Sequence, residues 1–160
     1  PWPGASVVPS GCRVTYDRRL LVGEKKESVI APYLQAAERL VKADPAFKGT
    51  AFFAKGKEEC HTGAVIEGER FFPGWLFGAE EEFVQKALAG LRSAGLDPHI
   101  SHYSFCTNGS HYAGEAGIKT IGFGPSRENL AHTIDEYIEE SQLYAALDGY
   151  FAISKALLGV

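Results

Sequence analysis

Three stretches of the chain repeat apolar residues every three or four positions, the spacing that places side chains on one face of an α-helix. They predict helices over residues 27–43, 80–94 and 141–158. Asp44-Pro45 ends the first helix, because proline disfavours helical backbone in the residue before it. The apolar faces consist of Val29, Ile30, Tyr33, Leu34, Ala37, Leu40 and Val41, then Phe83, Val84, Ala87, Leu88 and Leu91, then Leu143, Ala146, Leu147, Tyr150, Phe151 and Leu157.

Shorter stretches predict strands. Val14 and Tyr16 alternate with polar neighbours, the period of a half-buried strand. The aromatic, turn-prone segment 71–75 is interpreted as a crossing between two layers or lobes. The order of elements is then β-α-β, a crossing, and α-β-α-β-α, so the second half alternates as an α/β layer does. The predicted strands are 12–21, 50–54, 99–105 and 118–123, with a short helix or loop over 108–116.

Composition excludes several classes of protein. The chain has 160 residues, 45% of them hydrophobic and 22% charged, as in a globular protein of one domain or of two small pieces of a larger one. No apolar run approaches the roughly 18 residues of a membrane span. A net charge of −4 without a basic stripe argues against a nucleic-acid partner. Cys12, Cys60 and Cys106 are widely spaced, which predicts free thiols in a reducing compartment and hence a cytoplasmic protein.

His132 is the first candidate for chemistry. It follows the predicted strand 118–123 and a Gly-Pro turn, and functional residues of α/β sheets gather beyond the carboxyl ends of strands. A neutral imidazole at such a place can ligate zinc, and Asp135 and Glu136 are near enough in sequence to orient it from a second shell. The alternative interpretation is a surface histidine near two acids, and spacing alone leaves both open.

A second polar cluster, residues 105–111, lies at the end of the predicted strand 99–105. It can present backbone N–H groups and the Asn108 amide to a substrate. It can equally be a strand-to-helix turn in which Thr107 or Asn108 caps the helix, and the two interpretations are compatible. Another alternative, with no recognised signature behind it, combines the Cys106 thiol with a histidine and a carboxylate. The histidine and carboxylate of that set would be His111 or His132 and Asp135.

Two further groups have a functional and a plain interpretation. By strand alternation, one of the two arginines that follow Asp17 faces away from the apolar side, where a guanidinium suits a carboxylate ligand. A surface ion pair with Asp17 is the alternative. Residues 58–61, Glu-Glu-Cys-His, have metal-ligand types, but neighbouring residues of a strand point to opposite faces. A solvated edge is therefore the favoured interpretation of that segment.

Several motifs resemble those of the dinuclear zinc amidohydrolases. This family includes aminoacylases, glutamate carboxypeptidases, acetylornithine deacetylase and succinyl-diaminopimelate desuccinylase. Residues 8–24 resemble its "VP…C…D.R..PGE" strand, and residues 70–75 look like the return from its lid domain. Residues 122–125 and 131–137 are similar to its closing "GFGPG…AHTPNEY" motif. The Asp-Arg-Arg and Cys-Thr-Asn-Gly-Ser segments are most similar to the selenium-metabolism-linked hydrolase branch.

The resemblance implies roles for particular residues. His132 occupies the position of the family's last zinc-binding histidine, and Arg19 that of a lid arginine that holds a substrate carboxylate. In the family, two zinc ions activate a water, with cobalt or manganese as possible substitutes. A separate glutamate accepts the water's proton, and the hydroxide attacks an amide of a small peptide or N-acyl amino acid. The substrate-lining positions implied are Cys106, Thr107, Asn108, Gly109 and Gly124.

The resemblance also implies that the chain is a C-terminal fragment. Residues 1–76 match the second half of an α+β, ferredoxin-like lid that forms homodimers, and residues 77–160 match the C-terminal part of an α/β catalytic domain. The other metal ligands and the catalytic glutamate would lie upstream, and the absence of an initiator methionine agrees with this. We therefore expect no hydrolase activity from the 160 residues alone. A non-catalytic module that keeps the fold for binding or dimerisation is the alternative function.

Overall fold

Three helices form where the 3.6-residue periodicity predicts them. The computed structural model describes residues 8–160, so the first seven residues of the predicted lid segment lie outside the described residues. The helices are α1 (Lys26–Ala43), α2 (Glu82–Ser93) and α3 (Glu140–Leu158), whose ends lie within two residues of the prediction. Pro32 lies inside α1, further along the helix than the first turn where its missing N–H is harmless.

A single antiparallel hairpin is the sheet structure of the described residues. Its strands are β1 (Lys55–Glu59) and β2 (Val65–Glu69), with Lys55 opposite Glu69 and Glu59 opposite Val65. Gly63 adopts a φ of 80°, and its amide donates to the Cys60 carbonyl at 2.8 Å, which closes the turn. The prediction of a strand over 50–54 is wrong, because the ladder begins at Lys55. Both strands are largely exposed and polar, so no apolar alternation revealed them.

The other predicted strands are also wrong within the described residues. Segments 12–21, 99–105 and 118–123 join no strand ladder there, apart from an isolated parallel bridge between Val22 and Gly74 beside the first of them. A strand requires a neighbour whose N–H and C=O groups pair with its own, whereas alternation reports only which side chains face opposite ways. The coarse prediction of a mixed α and β structure is confirmed. The predicted layer of alternating strands is not formed by the residues described.

The chain divides into two compact units. The first contains the residues up to Leu20 together with Lys26–Phe71, and the second contains Leu21–Lys25 together with Phe72–Val160. No helix among residues 8–160 is both long enough and apolar enough to cross a membrane.

In the first unit, one end of α1 contacts the hairpin. The Lys26 ammonium pairs with the Glu69 carboxylate and lies 5.6 Å from the centre of the Phe53 ring. That ring in turn meets Phe71 edge to face, with centroids 5.3 Å apart. Val29 is the buried residue of α1. Aromatic and ionic contacts, more than a large apolar core, therefore connect α1 with the strands.

In the second unit, α2 packs against α3. Glycine permits a close approach, because a Cβ built on Gly90 would lie 2.8 Å from the carbonyl oxygen of Ala152 and 2.9 Å from the Cβ of Ala156. Both distances are shorter than van der Waals contact, so only a residue without a side chain fits at this crossing. The buried apolar residues of the unit are Phe83, Ala87, Leu91 and Ala146.

Candidate functional site

Residues 124–137, which we call the histidine loop, contain three non-glycine residues with left-handed backbone. The φ angles are 75° at Ser126, 61° at His132 and 57° at Asp135. This conformation costs a residue with a Cβ about 1–2 kcal/mol, and such residues concentrate at functional sites. The Ser126 amide donates to the side-chain oxygen of Gln142 at 2.7 Å, which connects the loop to α3. The shape of the loop is thus held by specific contacts.

His132 is held through its backbone. Its amide N–H donates to the Glu136 carboxylate at 2.9 Å, and the neighbouring Thr133 hydroxyl donates to the Leu130 carbonyl at 2.9 Å. Glu136 therefore stabilises the left-handed turn at His132, while Asp135 forms the next left-handed turn. The orientation of the imidazole by Asp135 and Glu136 remains a prediction. The His132 side chain is exposed and can offer a nitrogen to a ligand.

Among the candidate metal ligands, only His132 is proposed to bind a metal ion, and it would supply a single ligand. A catalytic zinc takes about three protein ligands and a water. Within residues 8–160, no group of three or more His, Cys, Asp or Glu residues converges closely enough to hold a metal ion. The imidazole of His132 suits zinc chemically, as a borderline nitrogen donor, and it would need ligands from other groups to complete a site.

Residues 103–109, which include the predicted substrate-lining positions 106–109, are named here the cysteine loop. The Gly109 amide donates to the Thr107 hydroxyl at 3.1 Å, and the Asn108 carbonyl accepts from the amide of His111 at 3.0 Å. These bonds form the turn that leads into a short π-helix, Ser110–Glu115. The prediction that Thr107 or Asn108 caps the helix is wrong, because the cap position is Gly109 and no side chain caps the helix; Thr107 stabilises the turn before it. The placement of these residues beside a substrate remains a prediction.

The cysteine itself contacts a hydroxyl group. The Cys106 sulfur lies 3.3 Å from the Ser110 Oγ, and Ser110 is only 4% exposed. His111 is paired elsewhere, since its Nδ1 lies 2.8 Å from the Glu115 carboxylate and its ring meets Phe72 edge to face. These contacts do not favour the alternative in which Cys106 and His111 form a catalytic pair.

Residues 73–75 pack closely against two glycines, one in the cysteine loop and one in the π-helix that follows it. A Cβ built on Gly109 would lie 2.6 Å from Trp75 Cζ2, and one on Gly114 would lie 2.9 Å from Pro73 Cγ. The sequence interpretation of segment 71–75 as a crossing missed this support. The signal available was a pair of glycines, Gly109 just before the π-helix and Gly114 within it, because glycine is common where a ring must approach the backbone closely.

Gly124 lies at the start of the histidine loop, near the hydroxyl of Tyr150. That hydroxyl donates to the Phe123 carbonyl at 2.7 Å, and a Cβ on Gly124 would lie 3.5 Å from it, an ordinary contact distance. Tyr150 therefore anchors the residue that precedes the loop to α3.

Two residues that the sequence did not single out join the two loops. The Glu128 carboxylate accepts a hydrogen bond from the Ser104 amide at 3.1 Å and another from the Ser104 hydroxyl. The neighbouring Tyr103 ring stacks on Phe105 at 4.7 Å. Burial raises the pKa of the Tyr103 phenol, and the nearby Tyr150 and Glu128 raise it further. Nothing local in the sequence connects Ser104 with Glu128.

Arg19 lies in the other unit. Its guanidinium is 3.9 Å from the Asp17 carboxylate, and the two side chains are 70% and 86% exposed. An exposed pair of this kind contributes about 0–1 kcal/mol. The structure thus contains the surface ion pair that was the alternative interpretation, and recognition of a substrate carboxylate by Arg19 remains a prediction.

Two curated proteins are similar in sequence to this chain. Over 153 residues the chain is 32% identical to the uncharacterized protein YgeY of Escherichia coli K12, and equally to that of Escherichia coli O157:H7. The similarity covers 94% of this chain but 36% of YgeY, so the chain spans little more than a third of the length of the curated relatives it matches. No family model and no solved structure matches the chain.

Proposed function

We propose that the chain is part of a zinc-dependent hydrolase that cleaves amide bonds in small peptides or N-acyl amino acids. The observation that carries this proposal is the histidine loop, in which an exposed His132 is held on left-handed backbone by Glu136. The same residues lie in the segment that resembles the closing motif of the dinuclear zinc amidohydrolases. The chain aligns with 36% of YgeY, and in this proposal the other metal ligands come from residues outside the 160.

The candidate site residues have separate roles in this proposal. The imidazole of His132 contributes one nitrogen ligand. Zinc, when bound, polarises the amide carbonyl and lowers the pKa of a water. Backbone N–H groups of the cysteine loop and the Asn108 amide hydrogen-bond the oxygens of the substrate, a form of stabilisation that is effective because the donors are already oriented. Arg19 binds a carboxylate of the substrate through its planar guanidinium.

A second copy of the chain is the proposed partner of the first unit. Several apolar residues of α1 remain exposed: Tyr33 by 40%, Leu40 by 51% and Val41 by 41%. Burial of such a face in a homodimer would remove it from water. Leu40→Glu is expected to convert a dimer into a monomer in analytical ultracentrifugation, and Glu38→Gln on the same helix is the control. A wild-type monomer would contradict dimerisation.

A cytoplasmic location is also proposed. Cys12, Cys60 and Cys106 are free cysteines, and two of them are exposed. Exposed free thiols persist most readily in a reducing compartment. The check is fractionation of source cells, in which the protein should follow a cytosolic marker.

The test of the activity uses the native polypeptide that contains these 160 residues. It is offered N-acetyl amino acids and dipeptides before and after chelation, and again after zinc, manganese or cobalt is restored. We expect hydrolysis to be lost on chelation and recovered with metal. His132→Ala should lower both activity and metal content, whereas His61→Ala, at the exposed hairpin turn, should change neither.

Three outcomes would contradict the proposal in different ways. Hydrolysis that survives chelation but is abolished by thiol alkylation would favour the Cys106 alternative. A stable dimer that hydrolyses none of the substrates would favour the non-catalytic module. Loss of activity in both histidine variants would show that His132 has no special role.

A further inference from the structure

We propose that Glu128 is a positioning residue that connects the histidine loop to the cysteine loop, so that the two loops move as one assembly. The inference rests on the proposed function for the meaning of that assembly, but the connection itself can be tested without any activity. It is carried by the contacts between Glu128 and Ser104, which lie 24 residues apart in the chain.

Glu128 makes two hydrogen bonds to the same residue, Ser104. A single oxygen of the Glu128 carboxylate accepts from both the backbone amide and the hydroxyl of Ser104. An ionised acceptor makes shorter and stronger hydrogen bonds than a neutral one. Because one of the donors is a backbone N–H, the contact restrains the course of the main chain as well as a side chain.

Both residues of the contact lie close in sequence to a candidate site residue. Ser104 lies two residues before Cys106, and Glu128 lies four residues before His132. Glu128 begins a turn of 3₁₀ helix, Glu128–Leu130, in which the Ala131 amide donates to the Glu128 carbonyl at 3.3 Å. A displacement of Glu128 is therefore transmitted to His132 with few free backbone torsions between them.

Aromatic side chains surround the same point. The Tyr103 ring stacks on Phe105, occupies the space that a Cβ added to Gly122 would need, and lies near Tyr150 and Glu128. Tyr150 anchors Phe123 through its hydroxyl. Glu128 of the histidine loop thus contacts Ser104 of the cysteine loop close to these aromatic side chains. From that position one carboxylate can align both loops.

The first test measures hydrogen–deuterium exchange in the native polypeptide, peptide by peptide. Glu128→Ala should speed exchange at least about fivefold in peptides that cover residues 100–111 and 124–138, since local opening is what exchange reports. Ser104→Ala keeps the amide bond to Glu128 and loses only the hydroxyl bond, so it should speed exchange in the histidine loop less than Glu128→Ala does. Glu38→Ala, which removes an exposed glutamate from α1, should change neither region.

The second test measures the kinetics of amide hydrolysis. Glu128→Ala should lower kcat/KM about tenfold or more, mainly through kcat, because misplaced catalytic groups affect the transition state more than binding. Glu128→Gln should stay within about threefold of wild type, since its amide oxygen can accept the same two bonds. Unfolding midpoints should be alike in all variants, which separates positioning from a loss of stability.

The outcomes distinguish the two proposals. If Glu128→Ala, which removes both bonds to Ser104, leaves exchange over residues 100–111 unchanged, the connection is refuted. If exchange is coupled but the wild-type polypeptide hydrolyses no amide, the connection stands and the proposed function fails. If the enzyme is active and Glu128→Ala retains full kcat, the function stands and the positioning role is refuted.

Discussion

Replacing Gly90 with alanine tests the packing of the second unit most directly. The new Cβ would lie 2.8 Å from the Ala152 carbonyl oxygen and 2.9 Å from the Ala156 Cβ. One of these atoms belongs to the backbone of α3, so relief requires the whole helix to shift. Overpacking of this kind costs about 1–3 kcal/mol, while alanine gains about 1 kcal/mol over glycine inside a helix.

The balance of these terms predicts a loss of stability. Because two close contacts form at once and one is with the main chain, we expect the cost to lie near the upper end. The free energy of unfolding should then fall by about 1–2 kcal/mol, which lowers Tm by about 2–8 °C in a chain of this size. Urea denaturation followed by far-UV circular dichroism measures the change.

Two variants make the result specific to the helix crossing. Gly68→Ala, in β2, would meet nothing within 4 Å and should leave stability unchanged or slightly higher. Adding Ala156→Gly to Gly90→Ala removes one of the close contacts, so the pair should be less destabilised than the sum of the single changes by about 0.5 kcal/mol or more. A Gly90→Ala variant as stable as wild type would refute the close packing of α2 on α3.

Three further predictions concern the candidate site. Arg19→Ala should cut kcat/KM of the native polypeptide about tenfold to a few hundredfold, from the 1.5–3 kcal/mol of a charged hydrogen bond, with little change in stability; an unchanged kcat/KM would leave only the surface pair with Asp17. The 160 residues alone, with excess zinc, manganese or cobalt, should hydrolyse no dipeptide or N-acetyl amino acid; turnover abolished by a chelator and by His132→Ala would overturn this. The pKa of Tyr103 is raised in the folded protein, so its contribution to stability is full below the ordinary value of 10.0 and is lost as pH rises through the folded pKa. Tyr103→Phe should therefore lose less stability than wild type at alkaline pH. Denaturation at several pH values measures this difference.

The features that the sequence predicted well are those set by near neighbours in the chain. The α1 helix follows from residues three and four positions apart, so the predicted ends of the helix lie within one residue of the observed ends. The turn over residues 107–109 is likewise local, although the helix that follows is capped at Gly109 and not at Thr107 or Asn108. Segment 99–105 failed as a strand because pairing depends on a partner elsewhere in the chain, and alternation carries no information about that partner.

The candidate site shows the same limit. His132 and the cysteine loop were recognisable because their residue types lie next to one another in short motifs. The contact of Glu128 with Ser104 and that of Trp75 with Gly109 join distant segments. A glutamate or a tryptophan by itself gives no indication of which distant residue it will meet.

The position of Trp75 against Gly109 also gives the protein an optical reporter of its own. The chain contains two tryptophans, and Trp2→Phe would leave Trp75 as the sole indole. Indole emission responds to its immediate surroundings, so a movement of the cysteine loop should change the colour and intensity of the fluorescence. Arrival of a ligand at that loop could then be timed in a stopped-flow instrument, with no dye attached and no turnover required.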